Sequence, residues 1–199
     1  MKLDPTDIVW EFDGADGRAN GLASMVKFYA QHLEGLLPAE SEDPFEQIVA
    51  DMADDPTNRM LSNPRLARLY PAALEDAKQS DEFWRDSIHA QTRSRIAAAR
   101  KVIDNIESFR DYIPVKLGDV DVWAKTLGAL RLFWWAELAG SERLAQPTPT
   151  IVATNPGLAD LVEWMGYILE DLMDSRERCL RTGSAFDPDD YEPLVGPDA

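Results

Sequence analysis

"DVWAKTLGALRLFWWAELAG", residues 121–140, decides the fold. At about 100° per residue, Trp123, Leu127, Leu130, Trp134 and Leu138 share one stripe, while Asp121, Lys125, Thr126 and Glu137 lie away from it. The spacing predicts a helix buried along one side. Arg131 points with the stripe, between the directions of Leu138 and Ala124, and Trp135 flanks it. An unpaired guanidinium in such a place is prohibitively costly, and no acid on its own helix is well placed to serve it. Arg131 is therefore expected to be a structural clamp that takes its partner from another segment; the alternative is an anion or ligand site.

Helical spacing recurs outward from this segment. Leu22, Met25, Val26, Tyr29, Leu33, Leu36 and Leu37 form one face, stopped by Pro38. A shorter amphipathic piece is expected to turn Phe45, Ile48, Val49 and Met52 inward. Asn63–Pro64 makes a cap and first-turn start for a brief helix closed by Pro71. The longest helix is expected from Ser80 to Phe109, with Ile88, Thr92, Ile96, Ala99, Ile103 and Ile106 buried. "QPTPT" (146–150) reads as a loop. Asn155–Pro156 then opens a last long helix whose apolar face runs from Leu158 to Met173, with Gly183 as its C-terminal cap. "IVWEF" (8–12) and "IPVKLGD" (113–119) are extended and could pair as a ribbon. The expected fold is all-α: a single-domain bundle of about five to six helices over residues 1–183, with at most a minimal two-stranded β ribbon. Residues 184–199 read as an acidic, proline-punctuated, disordered tail.

The charge balance excludes several functions. The net charge is −16, with 45% apolar residues and six tryptophans to build a core. So acidic a chain repels phosphate backbones and anionic lipid, so neither direct nucleic-acid binding nor membrane binding is expected. Cys179 is the one cysteine, "MKLDPTDIVW" lacks the regions of a secretory signal, and no apolar run approaches the roughly 20 residues that span a bilayer. A cytoplasmic protein is expected. Homo-oligomerisation stays open.

The basic stretch of note is "TRSRIAAARK" (92–101). Arg93 and Arg100 project almost together beside the apolar stripe, bordered by Glu82, Asp86, His89, Asp104 and Glu107. Such a row reads first as a salt-bridge ladder at a bundle edge, and second as a docking strip for an acidic partner. Catalytic patterns are missing: there is no P-loop, G-x-G-x-x-G, G-x-S-x-G or H-E-x-x-H. Asp86-x-x-His89 supplies at best half of a di-metal motif, and His32 has no acid three or four residues away. Cys179 has no evident catalytic partner and is expected to be an ordinary thiol. The tryptophans Trp123, Trp134 and Trp164 sit in helices and read as core or interface. No catalytic residue, metal or cofactor is expected, and the protein is read as not an enzyme.

Four blocks, "NPRLARLYPAA", "TRSRIAAARKVI", "VKLGDVDVWAKTLGALRLFWWAEL" and "LADLVEWMGYILEDLM", come in the order of those in the AosR-like family, which this chain resembles over roughly residues 60–175. That is an actinobacterial family, long filed as a domain of unknown function and named for a transcriptional regulator of oxidative stress. Trp123, Arg131 and Leu132 match its signature helix, and Arg93 matches its long-helix arginine. Ala129 stands where many relatives carry an acid, and Cys179 alone leaves no intrachain disulfide switch. The resemblance implies a regulatory interaction module that acts through a protein partner, such as a sigma factor or RNA polymerase. Arg93, Arg100, Trp123, Arg131 and Trp135 are its candidate interaction or clamp residues. The alternatives are a helical scaffold with a housekeeping role and an anion-sensing bundle using Arg93 and Arg131.

Overall fold

Residues 2–55, 57–71, 73–140, 142 and 145–194 are described by the computed structural model. The fold is mainly helical, with α1 (Arg18–Glu34), α2 (Pro44–Ala53), α3 (Thr57–Ser62), α4 (Pro64–Leu69), α5 (Ala77–Glu107), α6 (Val120–Ala139), α7 (Pro149–Thr154) and α8 (Pro156–Thr182). Strands β1 (Ile8–Asp13) and β2 (Tyr112–Lys116) form an antiparallel ribbon. The residues gather into two compact units, each assembled from separate stretches of chain.

One unit comprises Met1–Phe28, Ala98–Leu130 and Glu163–Ala199. Its ribbon pairs Trp10 with Val115 and Phe12 with Ile113, with a register shift between Ile8 and Trp10. Two strands alone are marginal in water, so this pair depends on the side chains packed against it. Trp10, Phe12, Trp123 and Trp164 supply them: the Trp10 and Trp123 rings meet edge-on at 5.5 Å, and Phe12 lies 6.2 Å from Trp164. The Trp10 and Trp123 indole N–H groups are satisfied too. Trp10 Nε1 donates to Asp171 at 2.7 Å, and Trp123 Nε1 donates to Asn105, whose amide donates in turn to the Pro114 carbonyl.

The chain beyond α8 departs from the expected disordered tail. Gly183, at φ +67°, ends α8, and the backbone then returns to the ribbon, where Phe186 N–H donates to the Ile8 carbonyl. The Arg110 N–H donates to the Glu192 carbonyl and the Leu194 N–H to the Ser108 carbonyl, and the buried Tyr191 donates to Glu11. Composition foretold disorder, but these main-chain bonds and one buried ring hold residues 186–194 in place. Residues 195–199 lie outside the described residues.

The other unit comprises Tyr29–Ala97 and Arg131–Val162. Tyr29, Leu33, Leu36, Met60, Leu66, Leu69, Tyr70, Trp84, Ile88 and Phe133 form its core. Tyr29 meets Phe133 edge-on at 5.6 Å, and the Tyr70 hydroxyl shares a 2.8 Å hydrogen bond with the buried Thr92. Asn63 caps α4 through its side chain with Pro64 in the first turn, as the sequence predicts. Residues 146–150, expected as a loop, instead run into α7, capped by Thr148 with Pro149 in the first turn.

Candidate functional site

Helix α2 begins where Asp43 accepts the Phe45 N–H at 2.8 Å, with Pro44 preorganised in the first turn. Phe45, Ile48, Val49 and Met52 fall at i, i+3, i+4 and i+7 and share one face. That face is exposed, not inward as expected: Phe45 is 71% accessible and Met52 83%, with Ile48 and Val49 about half exposed. The opposite face, with Gln47 and Asp51, is the one held against the protein.

The cause is a matched charge ladder. On α5, Arg85, His89 and Arg93 recur every four residues and so lie along one side. Asp55, Asp54 and Asp51 meet them in reverse order. Arg93 grips Asp51 with both terminal nitrogens, at 2.6 and 2.8 Å, and Gln47 donates to the same carboxylate at 3.0 Å. The largely buried His89 donates from Nε2 to Asp54 at 3.1 Å, and Arg85 comes within 3.8 Å of Asp55. Arg59 adds a two-pronged contact to Asp54 and a bond to the Leu36 carbonyl.

These contacts shift the titrations. The Arg93 guanidinium holds the Asp51 carboxyl below its ordinary value, and Arg59 does the same for Asp54. Both arginines shift upward in return, and burial opposes each shift. Seven carboxylates lie between residues 38 and 57. Asp51, Asp54 and Asp55 serve the ladder, while Glu40, Glu42, Asp43 and Glu46 stay exposed around the start of the apolar face.

Arg131 is exposed, which corrects its expected role as a buried clamp. The buried arc of α6 is wide and includes Trp123, Thr126, Leu127, Ala129, Leu130, Phe133, Ala136 and Leu138. Its centre lies toward Leu130 and Phe133, on the far side of the stripe from Arg131, so Arg131 falls just beyond the edge. Among the described residues the buried arginine is Arg68, 8% accessible, on α4. It donates to the carbonyls of Gly140 at 2.9 Å and Glu142 at 2.7 Å, and more distantly to Ala145. Gly140, at φ +79°, ends α6 in the left-handed conformation, so Arg68 fastens the chain leaving that helix. Burial pushes the Arg68 pKa downward.

The remaining candidates separate. Trp123 is core, 1% accessible. Trp135 is half-buried, with Nε1 donating to the Ala145 carbonyl at 3.4 Å. The basic stretch serves internal contacts: Arg93 holds Asp51, Arg95 lies over the Tyr70 ring and donates to the Leu69 carbonyl, and Lys101 pairs with Asp119. Arg100 is exposed. Cys179 is buried against the Val9 carbonyl, and burial pushes its thiol pKa up.

Among the described residues no group of three or more His, Cys, Asp or Glu side chains is placed to hold a metal ion, and no helix is long and apolar enough to cross a membrane. The arrangement is that of a mainly helical protein that turns one acid-rimmed apolar helix face to solvent. The chain belongs to the family described as a domain of unknown function, DUF2017, whose model matches residues 2–175. No curated protein and no solved structure matches it.

Proposed function

We propose that this protein is a non-catalytic interaction module that offers the apolar face of α2 to a basic, groove-bearing protein partner. The observation that carries the proposal is the orientation of α2. Its acidic side is fixed to α5 while Phe45, Ile48, Val49 and Met52 stand in solvent at the spacing of helix-in-groove anchors. A contiguous exposed patch of large apolar residues marks an interaction surface. Glu40, Glu42, Asp43 and Glu46 beside it, on a chain of net charge −16, favour a positively charged partner and oppose a second copy of this chain. The internal use of Arg93, Arg95 and Lys101 argues against the docking of an acidic partner, or of DNA, on that strip. The resemblance to the AosR-like family directs the search for the partner to the transcription apparatus, to a sigma factor or RNA polymerase.

The test is a binding titration of purified sigma factor and of core polymerase against the wild-type chain and a Phe45→Ser/Met52→Ser variant. Saturable binding to one of them, weakened on the order of 30-fold or more in the variant with melting unchanged, is expected. Binding that ignores the variant, or none by either protein, would overturn this reading. Self-association abolished by the same variant would assign the face to a second copy instead.

A further inference from the structure

Arg131 reaches a hollow of about 290 Å³ that it lines together with Arg68, Leu132, Trp135 and Gln146. We propose that this hollow is a binding site for a small organic anion carrying a carboxylate on a flat apolar body. Arg68 and Arg131 both line it and no described lining residue is acidic, in a chain where acids outnumber bases 36 to 20. Their roles differ. Arg68 is buried and holds the Gly140 and Glu142 carbonyls, which fixes the wall. Arg131 is exposed at the mouth, and its planar fork matches the two oxygens of a carboxylate.

The rest of the lining suits the body of such a ligand. Leu132, 45% accessible, and the half-buried Trp135 give apolar surface, and the Gln146 amide can both donate and accept. Trp135 is held by its bond to the Ala145 carbonyl, so its ring stands ready before a ligand arrives. The volume is near the lower end of small-molecule sites, which run from about 300 Å³, so a single-ring acid fits and a dinucleotide does not. Arg93 takes no part: it does not line the hollow and is committed to Asp51.

Sodium benzoate is the probe, followed through the Trp135 indole N–H resonance, which a Trp135→Phe spectrum assigns. A saturable shift with a dissociation constant on the order of 1 mM is expected for so small a ligand. Arg131→Met should weaken it about tenfold, as loss of a charged hydrogen bond does. Arg93→Met, which removes the same charge elsewhere, should leave it unchanged. Absence of a saturable shift, a shift that survives Arg131→Met, or equal loss in Arg93→Met would overturn the proposal. Tighter binding of inorganic phosphate than of benzoate would overturn the carboxylate assignment.

Discussion

Helices α2 and α6 both carry large apolar side chains at helical spacing, yet they dispose of them in opposite ways. Along α6 the apolar arc is buried and the polar residues Asp121, Lys125 and Glu137 face solvent. Along α2 no residue is fully buried, the acids Asp51 and Asp54 at its end turn toward bases, and the apolar face looks out. Burying one α2 face forgoes the other. Two-pronged ion pairs partly shielded from water hold the acidic face in, at the cost of leaving four apolar side chains wet. Under the proposed reading, burial of those four side chains on a partner would add the hydrophobic stabilisation that folding forgoes. The difference teaches that periodicity establishes that a helix has two faces, and that the charges on neighbouring elements choose between them.

Substitutions should expose this contrast, and the largest effect belongs to α6. Trp123→Ala removes a ring packed on Trp10 and leaves Asn105 without its donor, so a loss of about 3–5 kcal/mol is expected in denaturant unfolding. Arg68→Ala comes next. It leaves the Gly140 and Glu142 carbonyls short of a donor, for about 2–3 kcal/mol by the same measurement, whereas Arg131→Ala should change stability by less than about 0.5 kcal/mol. A comparable loss in Arg131→Ala would return the clamp to that position.

The ladder should show itself in acid. Asp51 and Asp54 have folded pKa values held below their ordinary ones, so the stability they contribute is fully present above the unfolded value of about 3.9. It is lost as the pH falls through the depressed folded values. Melting temperatures between pH 7 and pH 3 should therefore drop more steeply for the wild type than for Asp51→Asn/Asp54→Asn, with the curves converging in acid. Parallel curves would remove the ladder as the restraint on α2. The smallest effect is expected on α2 itself, where Phe45→Ser should shift thermal stability by no more than about 0.5 kcal/mol.

Much of the scaffold is legible in the chain. The stripes of α5, α6 and α8, the Asn–Pro starts at 63–64 and 155–156, and the pairing of "IVWEF" with residues near 113–116 all follow from local chemistry. The candidate site is less so, because what decides it is distant in sequence. The bases that turn α2 over lie some thirty or more residues downstream, although their four-residue spacing, Arg85, His89 and Arg93, was a usable signal. Arg68 sits in a short helix of ordinary appearance, and its acceptors are main-chain carbonyls, which carry no signature in side-chain identity. The edge position of Arg131 depends on a buried arc wider than its large apolar residues imply, since Thr126, Ala129 and Ala136 extend it. Residues 186–194 are acidic and rich in proline, yet main-chain pairing with Ile8 and Ser108 orders them, and composition does not register such pairing.

The outward face of α2 is the claim on which the functional reading turns, and thiol reactivity tests it most directly. Cys179 is buried with its thiol pKa raised, so the native wild-type chain should react slowly with a chromogenic disulfide reagent. Met52→Cys should add one thiol that reacts in the native protein about as fast as in the unfolded chain. Protection of that thiol at the level of Cys179 would place the apolar face of α2 inside and contradict the account.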